Sequence, residues 1–148
     1  MLEFTIYTAD CAGNSGNCLY LNKMCIKDKA SFSQATRMDH VTAKYKDHYR
    51  SKDNFEEADC IPFDCDNDHS ENPSDWMTPL DVARSIPGVA FAASYSRSHN
   101  QPKGNKSARP RFHVFFPIHK VTDEETYAAM KRQIAMAFLY YDTNALDS

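Results

Sequence analysis

The chain has 148 residues, 25% of them charged, and a formal net charge of −3. That length suffices for one domain with a real core, and the acidic balance excludes a protein that holds nucleic acid through a global positive field, so any such contact needs local basic patches. No apolar run reaches the length that spans a membrane, and Met1-Leu2-Glu3-Phe4-Thr5-Ile6-Tyr7 lacks the basic flank and apolar stretch of a signal peptide.

A cytoplasmic protein with no membrane partner is therefore expected, its five cysteines reduced. Cys11, Cys18 and Cys25 are spaced by seven and Cys60 and Cys65 by five, with no Cys-x-x-Cys pair, which fits no common zinc knuckle. Buried free thiols are the better reading.

In chain order, Glu3 to Ala9 alternates apolar and polar residues and predicts a first strand. Asp10 to Asn17 is a turn-rich loop with two of the four glycines; it either presents backbone N–H groups to an anion or is a plain loop, and it lacks the Gly-Lys-Ser/Thr of a phosphate-binding loop. Leu19-Tyr20-Leu21 and Met24-Cys25-Ile26 are short strand candidates. Ser31 is the predicted cap of a helix carrying Phe32, Ala35 and Thr36. From His40 to Asn54, Lys44, Lys46, His48, Arg50 and Lys52 interleave with Tyr45 and Tyr49, a pattern that suits either a solvated face or a grip on a phosphate backbone.

Ala58 to Asp66 predicts a strand running into Asp64-Cys65-Asp66. Side chains two apart on a strand share a face, so Asp64 and Asp66 project together and Cys65 turns back to the core. Two such carboxylates either end the strand in a solvated acidic turn or share a hard cation, Mg²⁺ or Mn²⁺. Thr78-Pro79-Leu80-Asp81 predicts a helix start, with threonine as cap and proline at the first helical position; Pro87-Gly88 ends that helix. Val89 to Tyr95 is an apolar run, read as a buried strand.

Ser96 to Pro110 is a long polar loop with Arg97, Lys103, Lys106 and Arg109 and no acid, either a flexible surface loop or a clamp for a triphosphate or template. Arg111 to Ile118 predicts a strand with Phe112, Val114 and Phe116 on the core face and Arg111, His113 and Phe115 on the other. His113 is either structural or opens to a polar site. Thr122-Asp123-Glu124-Glu125 is a capping box before Tyr127, Met130, Ile134, Ala137, Phe138 and Tyr141, an amphipathic helix of about twenty residues. Asp142 follows its end, where a carboxylate gains nothing from the helix dipole and a metal would supply a reason for it. The residues predict an α+β domain, a mixed or antiparallel sheet flanked by helices.

The ordered set of strand and Asp-x-Asp, Arg-x-His in a strand, and an apolar pair followed by Asp resembles the three motifs of the archaeo-eukaryotic primase superfamily, in particular the N-terminal primase domain of phage and prophage replication proteins. The stretches that carry it are 64–73, 95–100, 107–117 and 142–148. The resemblance implies a primase-polymerase (RRM-like) core and template-directed two-metal nucleotidyl transfer in phage or plasmid DNA replication. Its implied partners are nucleoside triphosphates, a single-stranded DNA template and a helicase domain or protein. Position by position, Asp64, Asp66 and Asp142 match metal ligands for Mg²⁺ or Mn²⁺, and His113 matches the histidine that contacts the nucleotide phosphates. Lys106, Arg109 and Arg111 are phosphate-binding candidates from charge and position. Two features depart from the family: Arg111 stands where a small residue is usual, and the chain ends at Ser148 where relatives continue, so an N-terminal fragment with a truncated core is expected.

Two other functions are open to this composition. A non-catalytic nucleotide- or DNA-binding module would bind metal and nucleotide without extension. A rolling-circle nicking initiator would pair Tyr140 or Tyr141 with two histidines flanking one apolar residue, but Phe115 holds the second histidine's place.

Overall fold

The computed structural model describes residues 3–137, an α+β chain of seven strands and three α-helices with antiparallel pairing. Two sheets form, one with strand order β2-β1-β3 and one with β4-β5-β7-β6. The strands are β1 Phe4–Thr8, β2 Asn22–Ile26, β3 His40–Val41, β4 Ala43–Tyr45, β5 Phe55–Cys65, β6 Ala92–Tyr95 and β7 Phe112–Val121. The helices are α1 Lys29–Thr36, α2 Pro79–Ser85 and α3 Glu124–Ala135. The chain divides into two compact units, one reaching to Ile61 and including Pro117–Ala129, the other Pro62–Phe116 with the residues from Met130. Along the sequence, β5, β7 and α3 each run from one unit into the other.

In the first unit β1 is the central strand of its sheet and every one of its residues is buried. Its polar positions find partners: the Thr5 backbone N–H donates to Asp59 Oδ1 at 2.8 Å and the Thr5 hydroxyl to Oδ2 at 2.9 Å. Tyr7 packs in a cluster with Ala9 and Tyr20, and burial, aided by Glu57 and Asp59, pushes its phenol up to about 12. The cap of α1 is Asp28, not Ser31. Ser31 is the other half of the same capping box, its N–H donating to Asp28 Oδ1 at 2.8 Å while its hydroxyl oxygen accepts from the Asp28 N–H at 3.1 Å. Leu19 forms only an isolated bridge with Tyr49, so the expected strand there shrinks to β2.

Tyr127, in the first turn of α3, anchors the same unit. Its hydroxyl donates to the Cys60 carbonyl at 2.6 Å, so Thr42 must supply the proton in the 3.0 Å contact with the same oxygen. Its ring stacks on Phe55 with centroids 5.2 Å apart. The N-terminus of α3 is capped by Asp123, one residue later than Thr122, its Oδ2 accepting the Thr126 N–H at 2.8 Å. The helix ends at Ala135, and the expected extension through Phe138 and Tyr141 lies outside the described residues.

In the second unit Phe112, Val114 and Phe116 form the core expected of them, with Phe91 and Phe63 rings meeting Phe116 at 5.7 and 6.2 Å, while Phe115 and Arg111, expected on the other face, are buried too. Helix α2 starts as predicted, with Thr78 and Asp81 forming the capping box and Pro79 opening the first turn. The run from Val89 is not a buried strand. Only Ala92–Tyr95 pairs, and β6 is last in the sheet order, with Tyr95 and Val89 exposed.

Candidate functional site

The strand parity read from the sequence places the acidic pair. At the end of β5, Cys65 is buried while Asp64 and Asp66 are half-buried. His113 stands on β7, the next strand in the sheet, and its Nδ1 lies 3.4 Å from Asp64 Oδ1. Residues 49 positions apart, from separate motifs, thus share one polar spot of the second unit. His113 is half-buried although Phe112, Val114 and Phe115 around it are not exposed.

Just past the acidic pair, Asn67 takes a left-handed backbone with φ 56°, a conformation asparagine tolerates better than most side chains. Its buried amide binds both polar groups of the Met77 backbone, accepting from N–H at 2.7 Å and donating to the carbonyl at 2.9 Å, and also donates to the Pro110 carbonyl at 2.8 Å. The acidic turn, the approach to α2 and the entry to β7 are tied through one side chain.

Arg109 and Arg111 are both fully buried, at 1% and 0% exposure. Arg109 donates from Nε to the Ser107 carbonyl at 3.0 Å and from Nη1 to the carbonyls of Asn67 and Ser70 at 2.8 and 3.0 Å. Its Nη2 binds Glu71 and the Ser107 hydroxyl, and its plane sits 5.1 Å from the Trp76 ring centre. All of its nitrogens serve the fold, so the phosphate-binding role expected of it has no free donor. Glu71 in turn is held below the usual carboxylate range by its bonds from Arg109 and Ser107.

Arg111 differs. Its Nη1 donates to Asp68 Oδ1 at 3.1 Å, while Nε and Nη2 are buried with no acceptor among the described residues. Asp68 Oδ2 meets Lys106 Nζ at 3.1 Å, and both of these side chains are about two-fifths exposed, 38% and 40%. Partial burial acts to raise the Asp68 carboxyl, but the Lys106 bond and charge and the Arg111 charge outweigh it and hold it below its ordinary value.

Backbone and side-chain contacts hold the 96–110 loop against its neighbours. Asn100 N–H donates to the Arg109 carbonyl and Ser96 N–H to the Arg111 carbonyl, both at 2.9 Å. Lys103 and Lys106 exchange 3.0 Å backbone bonds around a turn where Gly104 takes φ 61°. The loop has no acid of its own; Asp68 and Glu71, which its sequence gave no reason to single out, supply the counter-charges. The earlier loop, Asp10 to Asn17, does present N–H groups to an anion. The anion is Asp39, whose carboxylate accepts from Gly13 at 2.7 Å and Asn14 at 2.8 Å. In the basic run, Lys44 is met by Glu56 at 3.3 Å.

Asp142, the expected third ligand, lies outside the described residues. Among the described residues no group of three His, Cys, Asp or Glu side chains is placed to hold a metal ion, and none of the five cysteines forms a disulfide. Asp64 and Asp66 are suitable hard donors but make only part of a cation site by themselves. Among the described residues no helix is long and apolar enough to cross a membrane. Comparison of the chain with protein-family models, with curated proteins and with solved structures returns no match.

Proposed function

We propose that this chain is a primase-type nucleotidyl transferase domain, joining nucleotides from nucleoside triphosphates on a single-stranded DNA template in phage or plasmid replication. The observation that carries the reading is the 3.4 Å approach of His113 Nδ1 to Asp64 Oδ1, which joins the Asp-x-Asp at the end of β5 to the Arg-x-His at the start of β7. Two motifs that matched the superfamily only as separate stretches of sequence become neighbours on adjacent strands.

In this reading Asp64, Asp66 and Asp142 hold Mg²⁺ or Mn²⁺, which when bound supplies positive charge to the attacking hydroxyl and the triphosphate. His113 is oriented by Asp64 and faces the phosphates. Lys106 and Arg111 supply the cationic charge that a triphosphate needs, and Arg109 braces the turn that carries the acids. In the same reading the core is of the primase-polymerase type and the domain works with a helicase. A second reading is a module that binds nucleotide or DNA without catalysis.

Isothermal titration of a nucleoside triphosphate with Mn²⁺ or Mg²⁺ tests the site. Metal-dependent binding should weaken about tenfold or more, equivalent to at least about 1.4 kcal/mol, in Asp64→Ala/Asp66→Ala. Equal binding by both proteins, or binding by neither, would overturn the assignment. Metal-dependent binding by the native chain without primer extension on a longer chain would select the non-catalytic module.

A further inference from the structure

Two arginines two residues apart are equally buried, yet their donors fare differently. Every guanidinium nitrogen of Arg109 has a protein acceptor. Arg111 uses Nη1 alone, and its Nε and Nη2 are buried without a partner among the described residues. A guanidinium stays charged at any ordinary pH, and leaving its buried N–H groups unbonded is destabilising. The backbone on either side is held: the Arg111 N–H donates to His99 Nδ1 at 3.1 Å and its carbonyl accepts from Ser96 at 2.9 Å. A fixed, charged fork with unfilled donors is therefore built into the start of β7.

Among the described residues its only side-chain acceptor is Asp68, a partly exposed carboxylate that also takes the Lys106 ammonium. A carboxylate bridging a guanidinium and an ammonium offers two oxygens where a phosphate offers three or four, in the geometry arginine forks match best. We propose that Arg111 and Lys106 form a receptor for the oxyanions of a polyphosphate tail, and that the Asp68 carboxylate occupies the place of a phosphate until one displaces it.

The receptor rests on the unfilled donors of Arg111; the choice of a nucleotide's tail as its occupant rests on the transferase reading. Exchange breaks the Asp68 bonds to Arg111 and Lys106 and makes bonds from the same donors, with Nε and Nη2 added, to phosphate oxygens. The exchange is non-covalent. Asp68 is free to move outward because it is exposed and lies beyond the end of β5.

The test uses inorganic tripolyphosphate and a nucleoside triphosphate, each titrated into metal-free buffer with EDTA. Asp68→Asn keeps the size of the side chain and removes the competing charge, and should tighten both ligands about tenfold. Equal gains are expected because the receptor reads oxyanions; a gain for the nucleotide alone, or no gain, would overturn the proposal. Adding Lys106→Ala, an exposed substitution compatible with folding, should abolish the gain, and its persistence would count against the receptor. In the native chain the Arg111 Nε–H resonance should shift on saturation with tripolyphosphate, and an unmoved resonance would overturn the proposal without any variant. If the metal titration proves independent of Asp64 and Asp66 while the tripolyphosphate gain persists, the transferase reading falls and the receptor stands. The opposite pair of results removes the receptor alone.

Discussion

Arg109 and Glu71 show how a single residue's role depends on what the fold brings to it. Arg109 sits in a cationic loop with no acid, where charge alone makes it a phosphate candidate. Folding buries it against the carbonyls of Asn67 and Ser70 and the Glu71 carboxylate, and it becomes a brace. The Glu71 carboxyl is lower in the folded protein than in the unfolded chain, so its stabilisation is complete above the ordinary glutamate range and disappears as pH falls through the folded value. Urea unfolding should therefore show native protein more stable than Glu71→Gln at pH 6. That difference should shrink toward zero below about pH 4. A difference that persists unchanged in acid would mean that the charge on Glu71 contributes nothing.

Among the elements, β5 and α3 are joined through one phenol. Tyr127 → Cys60 carbonyl and Thr42 → Tyr127 oxygen together satisfy a strand carbonyl and a buried hydroxyl. Burial drives the Tyr127 phenol far above its ordinary pKa, so it remains a donor throughout the working pH range. Tyr127→Phe keeps the stacking on Phe55 but leaves the Cys60 carbonyl and Thr42 unpaired. It should cost about 1–3 kcal/mol, read as a lower urea midpoint with an unchanged slope. An unaltered midpoint would show that another donor reaches Cys60. The spacing that marks α3 foretold the burial of Tyr127 but not the rest of the buried face, which is Lys131 and Ala135, with Met130 and Ile134 half-buried and Ala137 exposed; Thr78-Pro79 foretold the start of α2. Caps slipped by one to three residues, Asp28 for Ser31 and Asp123 for Thr122. Serine, threonine and aspartate cap almost equally well, so the choice among neighbours is made by local geometry.

At the scale of the molecule, the cysteines report how the chain opens. Cys60 and Cys65 are buried, one in each unit on the same strand, whereas Cys25 is exposed and Cys11 and Cys18 are half-buried. Burial also raises the Cys60 thiol well above its usual value, which suppresses the reactive thiolate. A thiol reagent should label Cys25 and Cys18 rapidly in native buffer, and Cys11 more slowly, because burial and Asp39 raise its thiol. Cys60 and Cys65 should then become reactive together at one denaturant concentration, because β5 is continuous through both positions. Separate midpoints would mean that the two units open independently.

The amino-acid order alone determined the α+β class, the strand that ends in Asp64-Cys65-Asp66, the aromatic core face of β7 and the start of α2, because alternation and helix-start chemistry are local properties of a few residues. Only the tertiary structure decided that Val89 to Tyr95 yields an exposed edge strand and that Asp39 fills the first loop's N–H groups. It also decided that Arg109 is a brace while Arg111 keeps unfilled donors beside Asp68. Those outcomes turn on which distant groups meet, Asp68 with Lys106 and Arg111, Asp64 with His113. Electrostatics and hydrogen bonding act through space, and spacing along the chain carries no record of such meetings until the chain is folded.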